Sequence, residues 1–118
     1  MRHLIISLVA VAALSAADTS SITFAKIKPL LDSRCVECHG AKKAKHDFRA
    51  DSVEAVFKGG KKMGAGVIAG KPDESPLVQV LTMPRSEKLA MPPQDQGEAF
   101  TAAEIALVKK WITDGAKP

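Results

Sequence analysis

The chain alternates stretches of regular apolar spacing with stretches that have none. Residues 4–14 are apolar apart from Ser7. Further on, Phe24, Ile27, Leu30 and Leu31 fall on one face of a helix predicted over 21–34. Pro29 lies inside it, removes a backbone donor and predicts a kink near the preceding turn. A second helix is predicted over 52–58, with Asp51 as its N-cap, Glu54 completing a capping box and Gly59-Gly60 ending it. A third is predicted over 74–81, between the turn-like Gly70-Lys71-Pro72-Asp73 and Pro84. The fourth is predicted over 102–114. Thr101 caps it, Glu104 closes a capping box and Gly115 stops it. Its apolar face is Ile105, Val108, Trp111 and Ile112.

Two connecting stretches lack a period. Residues 59–72 hold five glycines, and 85–100 contain Met91-Pro92-Pro93 and Gly97. No run alternates as a strand should; Val67-Ile68 is the one weak candidate. The predicted fold class is therefore all-α, about four short helices joined by long loops. Loops of this length in a small domain are functional or are held by something.

Composition sharpens that picture. A chain of 118 residues makes one domain at most. At 46% hydrophobic and 25% charged it is neither a disordered tail nor collagen-like. Aromatic residues are only 4%, so a core built from side chains alone would be thin.

Residues 1–17 read as a secretory signal peptide. Arg2 gives the positive start, the apolar run follows, and Ser15, Ala16 and Ala17 are small. Cleavage is expected after Ala17, with Ala16 as the alternative, leaving 18–118 as the domain. The apolar run is shorter than the roughly 20 residues a bilayer requires, so no stable membrane insertion is expected. Export predicts a bacterial periplasm, an oxidising compartment where cysteines are put to use.

The chain has two cysteines, in Cys35-Val36-Glu37-Cys38-His39. This C-x-x-C-H spacing is the c-type haem attachment signature. Two thiols add across the two haem vinyl groups, and the next residue, His39, is held beneath the iron as proximal ligand. Gly40 follows, where the chain must turn away with no side chain in its path. Other readings fit less well. A thioredoxin-like pair belongs after a strand in a βαβ unit, and none is predicted. A zinc site would need Cys35, Cys38 and two histidines, and His39 and His46 are poorly spaced for a tetrahedron. A disulfide between Cys35 and Cys38 would close a very small ring.

An electron carrier of this type has a second axial ligand, and His/Met ligation raises its potential. The candidates are Met63, Met83, Met91 and His46. Met91 fits best, because its loop is stiffened by Pro92 and Pro93 and precedes the capped terminal helix. Met83 ends a predicted helix. His46 is tethered only seven residues from His39. Met63 sits among lysines and glycines and reads as loop or packing.

These residues resemble a known family, the class I c-type cytochromes, and most closely the planctomycete-type cytochrome c domain. The matching stretches are collinear over nearly all of 18–118. They comprise Pro29-Leu30-Leu31, the Cys35–Gly40 motif, Phe48-Arg49-Ala50-Asp51-Ser52, Gly59-Gly60, Ile68 through Leu77, Met91-Pro92-Pro93, and Trp111-Ile112 with Gly115-Ala116. The segment Gly70-Lys71-Pro72-Asp73-Glu74-Ser75-Pro76-Leu77 narrows the likeness most. Ala50 and Ala69 depart from the family pattern, which often has Leu and Pro there. The resemblance implies a cytochrome c-like fold wrapped around one covalent haem. In it Cys35 and Cys38 carry the haem, His39 is the proximal ligand and Met91 the distal one. It also implies that the first and last helices cross near the haem edge, with Phe24 and Trp111 in contact.

The expected function is single-electron carriage between redox proteins, with no substrate transformed. The rival is an enzyme or sensor with an open iron, which would need a distal acid–base pair that the sequence does not clearly supply. Lys42, Lys43 and Lys45, with Lys58, Lys61 and Lys62, would rim the haem crevice and steer it to acidic redox partners. Without Arg2 the mature chain has 16 basic and 13 acidic residues, a net +3, and no aromatic residues interleave with the lysines, so nucleic acid is a poor fit as a partner.

Overall fold

The computed structural model describes residues 21–118. The predicted signal peptide lies outside the described residues. Within them the fold is all-α: α1 (Phe24–Arg34), α2 (Val53–Lys58), α3 (Pro76–Thr82) and α4 (Ala102–Thr113). Short 3₁₀ turns occur at Lys45–Asp47 and Pro72–Glu74. Among the described residues the extended pairings are isolated bridges, and Val67-Ile68 forms no strand.

Helix α1 starts later than its periodicity predicts. Thr23 is extended and bridges to Lys117, so Phe24 is the first helical residue. The helix then runs through Pro29 to Arg34. Helix α2 is capped by Ser52, not Asp51. The Ser52 hydroxyl accepts the Ala55 N–H at 3.2 Å. Asp51 is instead engaged by the Arg49 guanidinium, at 3.0 Å from Nε. Glu54 therefore falls one position early for the predicted capping box.

The third predicted helix is two elements. Ser75 precedes Pro76, and a residue before proline is pushed out of the helical region. Ser75 is accordingly extended (φ −81°, ψ 121°), the 3₁₀ turn stops at Glu74, and Pro76 opens α3 as a proline does best, at its first turn. Ser75 is fully buried. Its hydroxyl accepts the Ile68 N–H at 2.9 Å and donates to the Lys71 carbonyl at 2.8 Å, clasping the incoming loop. Gly70 N–H adds a 2.8 Å bond to Ile112 O on α4. The fourth helix has the predicted capping box between Thr101 and Glu104.

Helices α1 and α4 cross at the centre of the core. Phe24 and Trp111 meet there with ring centroids 5.6 Å apart and planes at 50°. Ile27, Leu31, Val108 and Ile112 are fully buried around them. The Trp111 indole donates to Lys117 O at 2.9 Å, and the Phe24 N–H donates to the same carbonyl at 2.9 Å. At the far end, Arg34 pairs with Glu104 through two bonds of 2.6 and 3.0 Å and stacks 4.8 Å above Phe100. Arg34, helped by the Thr101 N–H, holds the Glu104 carboxyl down at about 2. No helix among the described residues is long and apolar enough to cross a membrane.

Candidate functional site

The haem-attachment motif is the turn that leaves α1. Cys35 N–H still bonds to Leu31 O at 2.8 Å, and His39 N–H closes onto Cys35 O at 2.8 Å. A Cβ on Gly40 would sit 2.4 Å from the Val36 carbonyl oxygen, so the turn itself demands glycine there.

The chain then wraps His39. Ala50 N–H donates to the His39 carbonyl at 2.7 Å, and Lys45 N–H donates to Cys38 O at 2.9 Å. The imidazole Nδ1 lies 3.1 Å from Lys45 O and 3.2 Å from Phe48 O. Carbonyls only accept, so Nδ1 carries the proton and Nε2 is left as the free base. Burial lowers the pKa of the ring, against a smaller opposite effect of those two carbonyls. The neutral ring with one committed nitrogen is the form that binds a metal.

His39 opens into a crevice with two lobes that share Cys35, His39 and Met91. One lobe is apolar, walled by Phe48, Leu77, Val80, Leu81 and Leu89. The other, of about 640 Å³, is bounded by Cys38, Lys45, Pro92, Pro93 and Gln96. That volume lies within the range of about 300–1,000 Å³ usual for small-molecule and cofactor sites. Burial pushes the Cys35 thiol up to about 12. A reactive redox cysteine is shifted the other way, so the thioredoxin-like reading finds no support. Among the described residues no group of three or more His, Cys, Asp or Glu side chains could hold a metal ion, which leaves the zinc reading without a site.

The glycine-rich loop after α2 forms one wall. Gly59 has φ +71°, and a Cβ there would meet the Gly64 carbonyl oxygen at 1.8 Å. Only glycine lets the loop fold back so tightly. Of the other distal-ligand candidates, Met63 and His46 line the apolar lobe and Met83 is not among the lining residues. His46 lies between Lys45 and Phe48, whose carbonyls hold the back of the His39 ring. Met91 lines both lobes, and its N–H donates to Val80 O on α3 at 2.9 Å.

A family model for planctomycete cytochrome C matches residues 35–95, from the first motif cysteine to just past Met91-Pro92-Pro93. The chain belongs to the planctomycete cytochrome C family. No match is found among curated proteins or solved structures. Membership makes this a c-type cytochrome, a class defined by covalent haem c, iron and electron transfer. The residues of this cytochrome fit such a group. The crevice has an apolar wall for a flat macrocycle, an imidazole with Nε2 free, a nearby thioether and two thiols at its edge.

Arg85 lines neither lobe but braces the loop that does, a contact the sequence does not signal. Its Nη2 lies 2.8 Å from Pro93 O, 2.7 Å from Gly97 O and 3.3 Å from Pro92 O, all in the loop that follows Met91. A lone arginine in an aperiodic stretch gives no sequence signal for such contacts.

Proposed function

We propose that this chain is a periplasmic monohaem cytochrome that passes single electrons between larger redox proteins and transforms no substrate itself. Residues 1–17 act as a cleaved signal peptide and 18–118 form the cytochrome domain. The haem, when bound, supplies an iron that changes oxidation state by one electron. Cys35 and Cys38 hold it through two thioethers. His39 would hold the iron through Nε2 and Met91 would supply its second protein ligand, which would leave no position for a substrate. The surrounding apolar wall excludes water and limits rearrangement between the two oxidation states.

The observation that carries this reading is the His39 ring, with Nδ1 committed to Lys45 O and Phe48 O, in a crevice that Cys35 and Met91 also line. Met91 is favoured over His46 because His46 stands on the segment behind the His39 ring. It is favoured over Met63 by its backbone anchor on Val80 O and its place in both lobes. Exposed Lys42, Lys43, Lys45, Lys58, Lys61 and Lys62 suit an acidic redox partner, with association that slows as salt rises.

Absorption spectra of the oxidised and reduced protein, with and without carbon monoxide, test the ligation. The expected result is a low-spin spectrum with a methionine–iron charge-transfer band and no response to carbon monoxide. Met91→Ala loses the band and binds carbon monoxide. A high-spin wild-type spectrum that shifts with carbon monoxide replaces the carrier with an open-iron enzyme or sensor.

A further inference from the structure

The loop behind Met91 is short of backbone donors. Pro92 and Pro93 have no N–H, and the carbonyls of Pro92, Pro93 and Gly97 lie outside any helix. One nitrogen of Arg85 reaches all three, and Pro93 O also takes the Gln96 N–H at 3.0 Å, which leaves Pro92 O and Gly97 O to Arg85. Its two protons make the 2.7 and 2.8 Å bonds, and the 3.3 Å contact to Pro92 O shares one of them. Arg85 has no carboxylate partner among the ion pairs of the described residues. Its Nε is buried without any hydrogen-bond partner there. An unpaired, partly desolvated guanidinium is costly. The energetic return visible in the structure is the order it imposes on residues 92–97. On the other side of Met91, the 2.9 Å bond from its N–H to Val80 O ties it to α3.

We propose that Arg85 is a positioning residue for the distal ligand. It clamps the strap of residues 92–97 behind Met91 and so keeps the thioether seated on the iron. This rests on Met91 being that ligand. Arginine suits the task because its rigid planar head fixes the directions of the two Nη2 protons that make these contacts. A lysine ammonium at the same place is a mobile point charge.

Imidazole titration of the oxidised holoprotein reads this directly, because imidazole must displace Met91 and bleach the charge-transfer band. In Arg85→Gln the displacement is expected at about tenfold lower imidazole or less, the loss of charge-assisted bonds being transmitted to the ligand. Arg85→Lys falls between wild type and Arg85→Gln. The far-UV circular dichroism of each variant is expected to match wild type. An imidazole affinity within about twofold of wild type in Arg85→Gln overturns the proposal. Where Arg85→Gln does not accumulate, the same unchanged affinity in Arg85→Lys overturns it. The underlying ligand assignment fails separately, by absence of the band in wild type or its survival in Met91→Ala.

Discussion

A chain carrying Cys35→Ala and Cys38→Ala is expected to lose its cooperative melt and most of its helical circular dichroism. The reason is the shape of the core. Helices α2 and α3 have six and seven residues, far below the length at which isolated helices persist. They must be held by packing. Yet the apolar side of α3, with Leu77, Val80 and Leu81, faces the crevice. The chain has four phenylalanines, one tryptophan and no tyrosine with which to cover it. An aromatic side chain buries about 150–250 Å², and a porphyrin offers more than any one of them. Without that surface the crevice has nothing to close upon, and the loops on either side lose their partner. Far-UV circular dichroism during thermal melting gives the answer. A native-like helical signal with a sharp transition in the doubly substituted chain would sink this account of the core.

Trp111→Ala is expected to lower the unfolding free energy of the holoprotein by about 3–5 kcal/mol, the usual cost of truncating a large buried aromatic. Trp111 is completely buried at the α1–α4 crossing, against Phe24. Its removal leaves a cavity there and takes one of two donors from the Lys117 carbonyl. The Arg34–Glu104 pair joins the same two helices at their other end, and the two contributions separate by pH. The pair is one-fifth exposed on each side, so Glu104→Gln costs the less of the two. Glu104 is lowered from the ordinary 4.5 to about 2, so its contribution is complete above 4.5 and disappears as pH falls through about 2. Urea unfolding at neutral pH and near pH 2 measures both. The Trp111→Ala loss persists in acid, whereas the Glu104→Gln loss vanishes there. A Trp111→Ala loss under about 1 kcal/mol would place the crossing outside the structural centre.

Much of the fold is written in local signals. The Thr101–Glu104 box, the apolar spacing of α4 and the face of α1 involve residues a few positions apart, and these elements form as expected. The start of α2 was misassigned because Asp51 and Ser52 are both good N-caps. Arg49 takes Asp51 through a side-chain contact that no local rule anticipates. The break before α3 was legible in principle, since Pro76 dictates the conformation of Ser75. What Ser75 does with its hydroxyl depends on a loop that folds back onto it. At the site, the C-x-x-C-H spacing marks Cys35, Cys38 and His39 as candidates because covalent haem attachment requires that order in the chain. The orientation of the His39 ring and the Arg85 clamp are set by carbonyls at distant or irregular positions, which leave no pattern in the sequence.

The mass of tryptic peptide 35–42 from protein matured in the periplasm is the most direct test of covalent haem attachment at Cys35 and Cys38. Cleavage after Arg34 and Lys42 isolates both cysteines and His39 on one fragment. The account predicts that this peptide carries the mass of one haem, retained through acidified organic extraction. A peptide of unmodified mass, or one lighter by the two hydrogens of a disulfide, with the haem extractable or absent, would contradict it.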